Sequence, residues 1–208
     1  MLHLIAIAGI VISFDVDEGP GKNTEEILNI LKEQRVKAIF CLVAGHLNSK
    51  TRVRIAKKIV KEGHLICNHG TTHRPPRRLS YWRQRWEIRT AQKIFKKVLG
   101  IIPKYYRPPS CQTTCVQLKY IKANNIRLLN CKLNSGDWKK RIRKRRIYKN
   151  ILRMLKVNKT GVLLLHDNTR TLKILKKILK TIKTRRYLKL GPDSCINFGK
   201  VLELRIRW

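Results

Sequence analysis

Short apolar runs of strand length alternate with longer stretches of helical period along most of this chain, the pattern of β-α units around a largely parallel sheet. Strands are expected at residues 4–14, 36–43, 65–67, 105–107, 126–131 and 161–165, and helices at 24–33, 50–62, 80–99, 112–124, 143–157 and 170–184. Thr24 is placed to cap the first helix, with Glu25 and Glu26 in its positive first turn; Gly63 and Gly100 are placed to end the second and third. A length of 208 residues suits one core and is short for two. Residues 1–190 therefore read as one α/β domain and 191–208 as a tail with a final strand at 201–206.

In each case a polar residue follows an apolar run: Asp15 and Asp17, His69, Arg107, Asp137, His166. Barrels of β-α units carry their chemistry at the carboxyl ends of the strands, so this recurrence is what a shared site looks like. The most pointed pair of segments is FDVDEGP at 14–20 and NHGTTH at 68–73. It brings acidic groups beside a Gly-Pro turn and two histidines four positions apart, so one carboxylate and two imidazoles can meet on a single metal ion.

Carboxylates are scarce here, 12 against 48 Lys and Arg for a net charge of +36, which makes their placement informative. Five of them fall at Asp15, Asp17, Glu18, Glu25 and Glu26, while Asp137 and Asp167 sit beside other motif residues. So strong a positive field suits a polyanionic partner, nucleic acid or an acidic cell-surface polymer. The basic residues are nevertheless spread over many segments, so charge by itself selects no ligand over a plain solvated face.

The six cysteines, at 41, 67, 111, 115, 131 and 195, form no C-x-x-C pair and are expected to be reduced, mostly buried thiols. Cys111 and Cys115 carry no reactive motif around them. The apolar start has no basic residue before it and runs directly into the acidic motif, so it reads as a core strand rather than a leader. No segment approaches the roughly 18 to 20 apolar residues of a membrane span. A cytoplasmic protein is expected, or one of the cell envelope if a leader precedes this sequence.

In order, FDVDEGP, KEGHLICNHGTTH, YYRPPS, NSGDW and GVLLLHD resemble the five signature segments of the polysaccharide deacetylase family, the carbohydrate esterases that include chitooligosaccharide deacetylases. The resemblance implies a distorted β-α barrel and a metal-dependent N-deacetylase acting on glycans that contain N-acetylglucosamine. It implies Asp17, His69 and His73 as ligands of a divalent metal, Zn2+ first and Co2+ or Ni2+ otherwise, with Asp15 as general base. Glu18 is the competing ligand if the match is anchored at the Gly-Pro turn. His166 corresponds to the general acid, Arg107 to the arginine that orients the catalytic aspartate, and Asp137 to the acid that tunes both. Ser110 N–H corresponds to the oxyanion donor, and Tyr106 and Trp138 to substrate contacts, Trp138 walling the sugar groove. The chain departs from the family pattern at Gly70, usually a Ser or Thr bracing the histidine loop, and at Cys111, usually a glycine with left-handed backbone. Ser110 replaces an aromatic and Asn134 an acid. Two other readings fit the same residues: a same-fold hydrolase of small amides or cyclic imides, and a degenerate site on a protein that binds nucleic acid or another polyanion.

Overall fold

The computed structural model describes residues 9–158 and 160–184. Seven parallel strands lie in the order β5-β4-β3-β2-β1-β7-β6: β1 Ile10–Val16, β2 Ile39–Leu42, β3 Leu65–Asn68, β4 Tyr105–Tyr106, β5 Arg127–Leu128, β6 Leu133–Asn134 and β7 Gly161–His166. Six helices connect and flank them: α1 Lys22–Glu33, α2 Lys50–Lys61, α3 Tyr81–Leu99, α4 Cys115–Ala123, α5 Lys144–Val157 and α6 Thr169–Thr184. The sheet curls into a distorted barrel, and among the described residues no pairing joins its outer strands β5 and β6.

The central strands β1, β2 and β7 are buried on both faces, which is why they read as continuous apolar runs rather than as alternating ones. Their side chains meet the apolar stripes of the helices in one main cluster around Phe14, Phe40, Leu28, Ile59, Leu163 and Ile178. Phe14 and Phe40 stack across the β1–β2 pair with ring centroids 5.3 Å apart. The lysines and arginines of α2, α5 and α6 occupy the outward faces, where no core contact competes with their hydration. Among the described residues no helix is long and apolar enough to cross a membrane.

Register places the chemistry. Because β1 pairs in parallel with both neighbours, Asp15 lies opposite Cys41 of β2 and opposite His166 of β7. The carboxyl ends of β1 and β7 thus deliver Asp15, Asp17 and His166 to one rim, and β3 and β4 bring Asn68 and Tyr106 level with each other just before His69 and Arg107.

Several expectations are corrected. The first helix starts two residues early, with Gly21 at its cap. Thr24 is not the cap but a buried third residue, whose hydroxyl accepts from Gly21 N–H at 3.0 Å and donates to Asp167 Oδ2 at 2.6 Å. Strand β6 has no counterpart in the apolar pattern, being two residues long and held by β7 alone. The first strand begins at Ile10, and the start of the expected run, like the proposed strand at 201–206, lies outside the described residues. The cysteines are not all thiols: Cys111 and Cys131 form a disulfide, while Cys41 and Cys67 are buried and free and Cys115 is free and exposed. Adjacency of β4 and β5 is the reason, since it carries the two loops that follow them side by side. Cys111 has φ of 56°, the left-handed backbone its position calls for, here without glycine.

A cross-link that closes a 20-residue separation removes unfolded-state entropy, by roughly 3 kcal/mol on the loop-length scale. Cys111→Ser, Cys131→Ser and the double substitution should each lower the unfolding free energy from urea titration equally, by that amount, and added reductant should bring the parent protein to the same value. Unequal single losses would mean that one thiol matters for another reason.

Candidate active site

Along β1, residues two apart face the same side, so Ser13 and Asp15 form a polar row on an otherwise apolar strand, and Asp17 follows in the turn directly after it. The row is matched from β4. Arg107, fully buried, donates to Asp15 Oδ1 at 2.6 Å, to Ser13 Oγ at 2.9 Å and to the Asn130 carbonyl at 3.3 Å. A guanidinium out of water must be paired, and here it fixes one oxygen of Asp15 while leaving the other free to face the site.

The backbone carbonyl of Arg107 has a separate task. It lies 2.7 Å from His69 Nδ1, and since a carbonyl only accepts, Nδ1 carries the proton and Nε2 is turned into the site. His69 Nε2 is 3.4 Å from Asp17 Oδ1, and His73 Nε2 is 3.3 Å from the same oxygen. Donor atoms of Asp17, His69 and His73 all lie within 4.8 Å of one another. Ligands about 2.1 Å from a tetrahedral zinc stand about 3.4 Å apart, so these spacings are those of a coordination shell. Asp17 Oδ1 is also sealed from solvent with no hydrogen-bond partner, an orphan that a cation would satisfy. Asp17, not the exposed Glu18, meets the histidines.

Electrostatics agree with that fit. Burial alone would raise Asp17, but His69, then His73 and His166, outweigh it and hold the carboxyl down at about 2. Burial pushes His69 down, yet Asp15 and Asp17 more than compensate and its pKa is raised, so a proton and a cation compete for Nε2. His73 is lowered, by burial first and then by the neighbouring His69. It sits at φ 59°, a strained backbone for a histidine and one that turns the end of the loop back toward Asp17.

His166 closes the other side. Its Nδ1 is 2.7 Å from Asp137 Oδ1, its own N–H donates to Asp137 Oδ2 at 2.7 Å, and its Nε2 lies 3.8 Å from Asp17 Oδ2. Burial would lower this imidazole, but the hydrogen bond and charge of Asp137 raise it to about 9, so it carries its proton at neutral pH. Asp137 itself is fully buried, with Thr171 Oγ1 as a further donor. Of the two groups it was expected to tune it reaches only His166, since the side-chain hydrogen bonds of Arg107 go to Asp15, Ser13 and Asn130. Asp15, Asp17 and His166 open onto a cleft of about 580 Å³ whose rim includes Trp138, Arg52 and Arg170. Trp138 is 55% exposed there, a wall of the cleft rather than part of the core.

Two expectations change. Tyr106 is not a substrate contact: only 1% exposed, it packs with Ile88, Ile121 and Ile126, and its hydroxyl accepts from Gln117 Nε2 at 2.7 Å. Strand alternation turns it inward when Arg107, the next residue, faces the site. Gly70 does not leave the histidine loop unbraced. Glu87 of α3, 3% exposed, accepts at Oε2 from Thr71 N at 2.7 Å and from Thr72 N at 2.8 Å, and Thr71 Oγ1 donates to the Glu87 carbonyl. A β-carbon at Gly70 would stand 3.3 Å from that carboxylate, on a backbone with φ +85°, so glycine there makes room for the brace. Asn68 adds to it, accepting from Gly70 N at 2.8 Å and donating to the Ile88 carbonyl. Ser110 stands exposed on the turn after Pro108 and Pro109, with φ 57°. Sequence reasoning missed Ser13, Asn68 and Glu87. Glu87 leaves a signal, since it shares a helical face with Gln84, Ile88, Ala91 and Phe95, and an acid on an apolar stripe must have a partner.

Truncating Glu87 to Ala strands the buried Thr71 amide and removes the acceptor of the part-buried Thr72 amide, at a cost of about 1–3 kcal/mol. Chemical denaturation should show that loss, with Glu87→Gln intermediate because it keeps one acceptor oxygen; equal midpoints for all three proteins would refute the brace.

The sequence pattern of the polysaccharide deacetylase family matches residues 8–129. A peptidoglycan-N-acetylglucosamine deacetylase of Bacillus cereus is 31% identical over 129 residues, 62% of this chain and 46% of the relative. A bifunctional xylanase/deacetylase of Pseudobutyrivibrio xylanivorans is 27% identical over 186 residues, 85% of this chain and 29% of the relative. The chain thus spans less than half the length of either. Among solved structures, a peptidoglycan N-acetylglucosamine deacetylase in complex with a naphthyl N-oxidanyl-benzamide superposes with TM-score 0.76 at 28% identity, covering 86% of this chain and 83% of that one. A CE4 family pseudoenzyme from Bacillus anthracis shares the fold, with TM-score 0.79 at 23% identity over 88% of this chain and 63% of that one. With a match over more than half its length and the matching fold, the chain belongs to the polysaccharide deacetylase family.

Proposed function

We propose that this protein is a divalent-metal hydrolase that removes N-acetyl groups from N-acetylglucosamine-containing polysaccharide, chitooligosaccharide or peptidoglycan. The observation that carries the reading is the orphaned Asp17 Oδ1 facing two imidazoles at coordination spacing. Asp17, His69 and His73 would hold the cation, with Zn2+ the first choice for two nitrogens and one oxygen and Co2+ or Ni2+ as alternatives. When bound, such an ion supplies Lewis acidity that makes water a stronger acid and polarises the acetyl carbonyl.

The remaining steps belong to side chains. Asp15, with one oxygen pinned by Arg107, takes the proton of the attacking water through its other oxygen. Water oxygen adds to the acetyl carbon, and the resulting oxyanion is met by Ser110 N–H. His166, held protonated by Asp137, gives the proton from Nε2 to the sugar nitrogen as the carbon–nitrogen bond breaks. Acetate and a free amine leave. Trp138 offers an exposed ring at the mouth of the cleft on which a sugar can stack. The same fold is found in a pseudoenzyme, so the fold alone does not argue for activity; the retained trio and its two supporting pairs do.

Protein loaded with zinc should release acetate from chitooligosaccharide or peptidoglycan fragments, lose this on chelation and regain it on reloading, and His69→Ala should fall to background. Failure of the intact protein both to take up metal and to release acetate would sink the reading in favour of a decayed site, and turnover of small cyclic imides alone would favour the small-amide alternative.

The His166 pair has its own pH signature. A folded-state pKa near 9, against 6.5 unfolded, means that the pair contributes fully to stability below about pH 6.5 and that this contribution disappears as pH rises through 9. In metal-free protein the His166 ring resonances should titrate near pH 9, and Asp137→Asn should move that midpoint downward toward 6.5. An unmoved midpoint would show that Asp137 does not set it.

A further inference from the structure

On the side of α3 that faces away from the core lies a cluster that the catalytic reading leaves unused. Gln84, Glu87, Ile88, Ala91 and Phe95 turn inward, which leaves Tyr81, Trp82, Arg85, Trp86 and Arg89 on the outside. Trp82 is 73% exposed and Tyr81 52%, large apolar areas for a chain whose surface is otherwise dominated by lysine and arginine. Single exposed aromatics are ordinary; a run of them interleaved with arginines is not. Tyr120 of α4 completes the group. The Arg85 guanidinium stands 5.8, 5.7 and 5.6 Å from the rings of Tyr81, Trp82 and Tyr120, and that of Arg83 lies 3.7 Å over Trp86.

Two shallow grooves flank this cluster, of about 450 and 340 Å³, and they share Arg85 and Tyr120, so they form one track. No carboxylate lines either groove, and neither shares a residue with the catalytic cleft. Arg85 makes no ion pair among the described residues; its one described hydrogen bond goes to the Tyr81 hydroxyl at 3.5 Å. Arg83 also faces Glu87 at 3.8 Å, whereas Arg85, set among three aromatic rings without an anion, is prepared to receive one at little ordering cost.

We propose that this outer face of α3, together with Tyr120, is a second binding surface that holds an acidic polysaccharide strand, its sugar rings stacked on Trp82 and Tyr120 and its anionic groups paired with Arg85 and Arg89. The proposal rests on the glycan reading of the catalytic cleft for the choice of a sugar polymer, and on charge complementarity for the choice of an acidic one. A neutral strand would engage the rings and leave the arginines unanswered. Such a surface would keep the enzyme on its polymer between catalytic events, raising the local concentration of acetylated sugars at the cleft.

Binding of a fluorescent oligogalacturonate to the full chain tests this, with neutral chitohexaose and a thymidylate oligomer as comparison probes. Oligogalacturonate should bind in a salt-sensitive way. Trp82→Ala and Tyr120→Ala should each weaken it by about tenfold, and Arg85→Lys, which keeps the charge and loses the planar fork, by about threefold or more. Lys173→Gln on α6 should change it little. Thermal melts that match the parent will show that the variants are folded. His69→Ala should bind as the parent does, and Trp82→Ala should release acetate from a chitobiose substrate at the parental rate, so the surface and the cleft are judged separately. Loss equal for Lys173→Gln and Arg85→Lys would overturn the proposal in favour of undirected charge. Tighter binding of the thymidylate oligomer, lost in the same aromatic variants, would overturn it in favour of a nucleic-acid surface.

Discussion

The Arg107 guanidinium, enclosed among strand ends with no exposure to solvent, is the constraint on which the site depends. A buried cation must be neutralised locally, and Asp15 on β1 does so at 2.6 Å. That pairing ties the carboxyl end of β4 to that of β1 across the two strands between them. The same residue then uses its main chain to choose the tautomer of His69. One arginine therefore orients the group read as the base and one of the groups read as metal ligands. Its conservative replacement by lysine would supply charge without the second nitrogen that reaches Ser13 while the first holds Asp15.

A parallel division of labour appears on the other rim. Asp137 gives one oxygen to the imidazole of His166 and the other to that residue's backbone and to Thr171, so position and charge are set together. Glu87 does the same for the loop between the two site histidines, from a helix whose opposite side carries the exposed aromatic and arginine cluster. In a chain with so few carboxylates, three are spent inside the protein on holding cationic or backbone groups in place around Asp17. Acids this rare in so basic a chain, found buried and each holding a neighbour in place, are where its polar structure is concentrated.

Legibility in the sequence followed the range of the interaction. Strand and helix periods are local, and the central strands and all six helices lie close to where the pattern put them. The polar residues after the strands were visible for the same reason, each breaking an apolar run at its end. Tyr106 was misread because its neighbours in the motif are functional, while a strand sends adjacent residues to opposite sides. Thr24 was misread because Gly19, Pro20 and Gly21 already turn the chain, and helix starts depend on what the turn allows. The Cys111–Cys131 bond and the two-residue strand β6 have no local signature at all, since both exist only through contact with a neighbouring strand or loop.

What the linear order of residues determined is the β-α architecture, through hydrophobic period, and the membership of the site, through five polar segments at strand ends. What tertiary structure alone decided is which of those residues meet. It selected Asp17 over Glu18, assigned Asp137 to His166, removed Tyr106 to the core and recruited Ser13, Asn68 and Glu87 as supports. The physical reason is that period is written in the spacing of neighbours along the chain, whereas the pairing of buried polar groups is settled by strand register and helix packing, where each donor must find an acceptor that is distant in sequence.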